Sequence, residues 1–138
     1  MKTVSFPFER QRSTVFGSVY RPVAAVRLWS RRRRQWLAVR MIVDSGADYS
    51  LLPLSYVEAL GIDLETECRR VTSKGIGGIE IVHMFTGLPL HLGPWSRRVP
   101  VGFVGHDEIP PLLGRAGCLD TFDVRFARRR TIFRSLRP

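Results

Sequence analysis

The sequence predicts a single all-β domain with one or two short helices. Its apolar runs have the length of strands, and glycine, proline or charged turns separate them. The chain has 138 residues, of which 44% are hydrophobic and 25% charged. This is the composition of a globular protein, and the length is that of one domain able to bury a core without metal or disulfide links.

The first half of the chain predicts one hairpin and one short helix. Residues 1–20 have the weakest pattern, so we expect an N-terminal arm that is partly loose, followed by the domain at 21–138. Two apolar runs, 23–29 and 36–43, flank an arginine-rich loop and predict a hairpin. A helix is expected after Pro53, with Ser55 as N-cap and Gly61 in the left-handed position that ends it.

The second half predicts further strands and one helical turn. Three glycines in residues 75–78 suit the tip of a hairpin. The expected elements are strands at 69–73, 79–85, 88–92 and 99–104, an apolar run at 110–115, a helical turn at 118–122, and a closing hairpin of 124–126 with 131–133.

The charge is strongly positive. The formal net charge is +10 and the pI about 11.1, and nearly all of the 22 basic residues are arginine. Such a field favours anionic partners such as nucleic acid, a membrane surface or acidic proteins. The alternative is that arginines spread along the chain only keep the surface solvated.

Cysteine, histidine and apolar patterns narrow the class of protein. Cys68 and Cys118 do not form a close pair, and His83, His91 and His106 lack a metal-binding spacing, so we expect reduced thiols and no metal or other cofactor. The first ten residues contain no apolar signal-peptide segment, and no run approaches the length of a membrane span. These patterns predict a cytoplasmic protein.

Asp44, Ser45 and Gly46 directly follow the apolar run that ends at Val43. A carboxylate placed there is costly unless it has a partner or a function. Glycine lets the backbone approach another group closely, and the serine hydroxyl can brace the turn. These properties suit a carboxylate held at a twofold axis, although the triplet by itself also fits an ordinary turn after a strand.

Four segments in order resemble the retropepsins, the small aspartic peptidases of retroviruses and their cellular and bacterial relatives. They span residues 21–28, 39–53, 74–79 and 112–115, and the likeness covers roughly residues 20 to 134. The resemblance implies a retropepsin-like acid protease fold, which is a closed, barrel-like lobe with a flap hairpin.

The resemblance also implies roles for individual residues. Asp44 would be the catalytic carboxylate, Ser45 would clamp the two turns of a dimer, and Gly46 would offer its carbonyl to the substrate. Substrate contacts would come from the following turn and from the flap, whose residues are Ala47, Asp48, Gly75, Ile76, Gly77, Gly78 and Ile79. A plain surface hairpin is the alternative for the flap.

Four residues would support this site. Leu113 and Gly114 would pack beneath the catalytic turn, and Arg115 would pair with Asp48. That pair could also be an ordinary structural ion pair. In viral relatives, an arginine at the place of Arg21 reaches the same carboxylate from the other subunit.

One triplet supplies only one carboxylate, so the resemblance implies a homodimer that cleaves peptides or proteins bound in an extended conformation. The chain continues through a C-terminal hairpin, as in cellular and bacterial relatives, so the dimer interface can differ from the viral one. Two other functions stay open: a catalytically silent module that binds a peptide or partner, and nucleic-acid binding through Arg31–Arg34 and Arg128–Arg130.

Overall fold

The computed structural model describes residues 2–75, 78–105 and 109–138. Two short helices and one 3-10 turn accompany the strands: α1 (Tyr56–Leu60), α2 (Leu64–Glu67) and the turn at Leu119–Thr121. The strands are β1 (Val4–Pro7), β2 (Glu9–Ser13), β3 (Gly17–Arg21), β4 (Val23–Ser30), β5 (Gln35–Val43), β6 (Ser50–Pro53), β7 (Arg69–Gly75), β8 (Gly78–Leu92), β9 (Trp95–Val104), β10 (Leu112–Leu113), β11 (Phe122–Ala127) and β12 (Arg130–Ser135).

The main sheet closes on itself. Its strand order is β4-β5-β10-β6-β9-β8-β7, and β8 also pairs with β4. The short strand β10 lies between β5, to which it is parallel, and β6, to which it is antiparallel. Apolar side chains from the closed sheet fill its interior, among them Leu28, Met41, Leu90, Phe103 and Leu113, none more than 1% exposed. The predicted all-β, barrel-like fold with few helices is therefore confirmed.

The hairpins expected from the sequence are present, and one strand is longer than predicted. β4 pairs with β5 in antiparallel register, and β7 pairs with β8 up to Gly75 opposite Gly78. The separate strands predicted at 79–85 and 88–92 are wrong, because β8 runs through both. A register shift between Phe85 and Leu88 accommodates the two residues that interrupt the apolar pattern.

The helices correct a second prediction. Gly61 ends α1 with a φ of 74°, as expected. Ser55, however, makes no side-chain capping bond, because it already has helical dihedral angles and the main-chain carbonyl of Leu54 accepts the N–H of Val57. Helix α2 was not predicted. The Asp63 side chain caps it by accepting the Glu65 N–H at 3.0 Å.

The two ends of the chain meet in a separate sheet. The predicted closing hairpin is β11 with β12, and β1 adds to it along β12. The expected N-terminal arm thus contributes strands: β1 joins this sheet, and β2 pairs with β3 in a hairpin of its own. Its division from the domain at residue 20 stays a prediction.

Candidate active site

The turn after β5 holds Asp44 half-buried beside the barrel. Its N–H donates to the carbonyl of Leu113 at 3.0 Å, which fixes the end of β5 against β10. The N–H of Gly46 donates to Asp44 Oδ1 at 2.9 Å, and the N–H of Ala47 donates to the Asp44 carbonyl at 3.2 Å. Within the described part of the chain, Oδ2 of Asp44 accepts no hydrogen bond, so one carboxylate oxygen is available to another group.

The segment that passes beneath the turn is built for close approach. Gly114 donates its N–H to the buried hydroxyl of Ser50 at 3.0 Å, and Arg115 donates its N–H to the carbonyl of Ala47 at 3.0 Å. A side-chain carbon at Gly114 would overlap the main-chain carbonyl of Tyr49. Only glycine therefore lets this segment lie against the Asp44 turn.

Asp48 and Arg115 form an ion pair at the edge of the turn. Nη2 of Arg115 donates to Oδ1 of Asp48 at 2.6 Å, with side-chain exposures of 46% and 79%. An ion pair this exposed stabilises a fold by about 0–1 kcal/mol. Its main effect is to orient the two side chains, and the exposed carboxylate keeps further acceptor positions.

An open groove of about 720 Å³ adjoins Asp44. Its walls also include Arg21 and Gln11 from the β2–β3 hairpin, and the remainder is formed by Pro22, Ile42, Val43, Pro110 and Leu112. Arg21 thus lines the same groove as Asp44, and it makes no ion pair with Asp48 of its own chain. Contact of Arg21 with Asp48 of a second subunit stays a prediction. The groove is large enough for several side chains of an extended peptide.

The glycine-rich hairpin is only partly described. Gly75 and Gly78 end β7 and β8 opposite each other, and Gly78 has a φ of 110° that other residues rarely adopt. Ile79 is 71% exposed, and its contact with substrate stays a prediction. Ile76 and Gly77 lie outside the described residues.

A family model described as aspartyl protease matches residues 36–116, more than half of the chain. The chain belongs to the aspartyl protease family. The structure is similar to a retropepsin-like aspartic protease from Rickettsia conorii, with a TM-score of 0.65 and 17% sequence identity over 96% of this chain and 98% of the other. A search of curated proteins finds no match.

The family match in this aspartyl protease covers most of the candidate site but not all of the groove. The stretch that the family model covers contains the Asp44 turn, the glycine-rich hairpin and Gly114-Arg115. Gln11 and Arg21 lie outside it. The sequence analysis missed Gln11, because no neighbouring pattern marks it. It also missed Ser50, although a polar residue directly before the apolar Leu51-Leu52 could have been noticed as a candidate for a buried hydrogen bond.

Neither a metal site nor a membrane helix is present among the residues that the structure describes. Both cysteines are free thiols, and burial raises the pKa of Cys118 to about 12, which keeps it unreactive.

The arginine runs and tryptophans are partly engaged within the protein. Arg31 bonds to Glu67 at 2.6 Å and Arg32 to Glu58 at 2.7 Å. Trp36 stacks on His91 with ring centres 3.7 Å apart and meets Trp29 edge-on at 5.3 Å. These contacts leave less charge and ring surface for the bases and phosphates of a nucleic acid.

Proposed function

We propose that this protein is an aspartic endopeptidase whose active site forms where two copies bring their Asp44 turns together. The observation that carries this proposal is the geometry of Asp44. The Asp44 carboxylate lies within the segment that the family model matches, directly after the end of β5. One of its oxygens accepts the Gly46 N–H, and the other accepts no hydrogen bond within the described chain.

The chemistry follows from two carboxylates placed close together. Two such groups cannot both ionise, so the pair shares one proton. The ionised carboxylate removes a proton from a bound water, whose oxygen then attacks the peptide carbonyl. The protonated carboxylate donates its hydrogen bond to the carbonyl oxygen and stabilises the tetrahedral intermediate. Proton transfer to the amide nitrogen then releases the amine.

The other residues position the substrate and the dimer. Ser45 is exposed and can clamp the facing turn, while the main chain of Gly46 and Ala47 and the side chain of Asp48 face an extended peptide. The β7–β8 hairpin closes over that peptide as a flap and excludes water. Leu113, Gly114 and Arg115 support the turn from below.

Replacing the carboxylate tests the proposal. Asp44→Asn keeps the volume of the side chain and removes its acid–base function, so peptide cleavage should fall about a thousandfold or more. Cleavage of a denatured protein between pH 4 and 7, with and without pepstatin, measures this loss. Asp120→Asn makes the same change on an exposed side chain and should leave activity unaltered.

Cleavage retained by folded Asp44→Asn would show that this carboxylate is not catalytic. Wild-type protein that binds extended peptides in this groove but cuts none would instead favour the silent binding module.

A further inference from the structure

The β2–β3 hairpin forms one wall of the groove that contains Asp44. Its strands pair only with each other among the described strands. Their register places Gln11 opposite Val19 and Glu9 opposite Arg21, so these four residues share one face. Gln11 and Arg21 of this face line the groove. The opposite face carries Arg10 and Arg12, both exposed.

The polar groups of this wall are not used within the chain. The side chains of Gln11 and Arg21 make no hydrogen bond or ion pair with any residue that the structure describes. Gln11 is nevertheless half-buried. An amide that is partly withdrawn from water and has no internal partner is well placed to bind an incoming polar group.

The rest of the groove has a different chemistry. Pro22, Ile42, Val43, Pro110 and Leu112 are apolar, and Asp44 is the one carboxylate among the described residues that line the groove. A bound segment therefore meets an apolar surface next to Asp44 and hydrogen-bond donors with positive charge on the hairpin side. The net charge of +10 adds a long-range attraction for acidic segments.

We propose that Gln11 is a specificity-determining residue. It selects substrates that carry a carboxylate side chain within two residues of an apolar cleavage point. The Gln11 amide donates a hydrogen bond to that carboxylate, while Arg21, on the same wall, contributes positive charge. This inference rests on the proposed peptidase function and names the class of peptide that it cuts.

Paired peptides test the inference. Each pair has the same apolar residues at the cleavage point and differs by Glu or Gln at one neighbouring position. For at least one neighbouring position, wild-type protein should cleave the Glu peptide about tenfold more efficiently in kcat/KM at low salt, and the preference should shrink as salt increases. Gln11→Glu should remove this preference, because like charges repel, while cleavage of the Gln peptide changes less than about threefold.

A matched variant separates local recognition from overall charge. Arg12→Gln lowers the net charge by the same single unit as Gln11→Glu, but on the outer face of the hairpin. It should keep the Glu preference. A preference lost equally in both variants, or kept in Gln11→Glu, would overturn the assignment of Gln11.

Two further measurements complete the test. Sedimentation shows whether Gln11→Glu dissociates the protein. If it does, the second copy fills this part of the groove and the inference is wrong. If wild-type protein cleaves nothing, the same peptides are titrated against Asp44→Asn by fluorescence anisotropy. Tighter binding of the Glu peptide than of the Gln peptide, lost when Gln11→Glu is added to Asp44→Asn, then supports the recognition site although the peptidase function fails. Equal binding of the two peptides to Asp44→Asn overturns the inference.

Discussion

At the scale of single residues, the candidate site depends on one glycine beneath the Asp44 turn. Gly114 lies where the main chain of β10 leaves the barrel and crosses Tyr49 and Ser50. Its N–H and that of Arg115 bond to this turn region, so the position of Asp44 depends on the two segments lying in direct contact. Any side chain at residue 114 would push them apart.

Gly114→Ala should therefore destabilise the protein by about 3 kcal/mol or more, because the added carbon meets rigid main chain and not a flexible side chain. Thermal or urea unfolding measures this loss. Gly105→Ala is the matched control, since a carbon added there meets nothing within 4 Å. It should change stability by less than about 0.5 kcal/mol. Equal stability of the two variants would mean that the turn and the crossing segment are not held in contact.

At the scale of elements, a network of surface hydrogen bonds connects the short helices to the β4–β5 hairpin. The loop after β4 places Arg31 so that it donates to Glu67 of α2 at 2.6 Å and to the Gly61 carbonyl at 2.9 Å. Glu67 also accepts the Asp63 N–H at 2.8 Å. The Arg31 hydrogen bond, followed by that from Asp63, lowers the pKa of Glu67 from 4.5 to about 2.

A carboxyl whose pKa is lower in the folded than in the unfolded state stabilises the fold. This contribution is complete above the pKa of the unfolded state and is lost as pH falls through the pKa of the folded state. For Glu67 that window runs from 4.5 down to about 2. Glu67→Gln should thus be less stable than wild type at pH 6, and the difference should narrow steadily between pH 4.5 and 3. Urea unfolding at each pH measures it.

The control for this prediction is Glu65→Gln, which makes the same charge change on the same helix at a residue that forms no ion pair within the described chain. The difference in unfolding free energy between wild type and Glu65→Gln should be small, and it should not narrow in the pH range given for Glu67. A stability difference between wild type and Glu67→Gln that stays constant with pH would contradict the proposed hydrogen bonds of this carboxylate.

Elements with local signals were predictable from the sequence, and those that depend on distant partners were not. The charged loop 31–34 and the glycines at 75–78 each separate apolar runs, so both hairpins could be read directly. Strand β10 has two residues, and only the likeness of Leu112–Arg115 to the family placed it beneath Asp44. Gln11 lies in a polar strand without apolar alternation, so nothing local indicated that it would line the groove.

At the scale of the whole molecule, the closed barrel holds one Asp-Ser-Gly triplet and leaves it open on one side. Among the residues that the structure describes, those that line the groove include no carboxylate other than Asp44. Apolar side chains fill the core of the described chain, and the pairing of β4 with β8 closes its main sheet. Under the proposed function, the second carboxylate comes from another molecule, and a second copy would supply it with twofold symmetry.

Mixing experiments distinguish a shared site from an independent one. When wild type and Asp44→Asn are refolded together in equal amounts, random pairing gives about a quarter of dimers with two Asp44 carboxylates. Total activity should then fall to about half of that of the wild-type protein refolded alone, although the number of wild-type chains is unchanged. Replacing Asp44→Asn by the active Arg12→Gln variant should instead give about the sum of the two activities. Wild-type activity that is undiminished by Asp44→Asn would show that each chain cleaves alone, which a single carboxylate at this site does not explain.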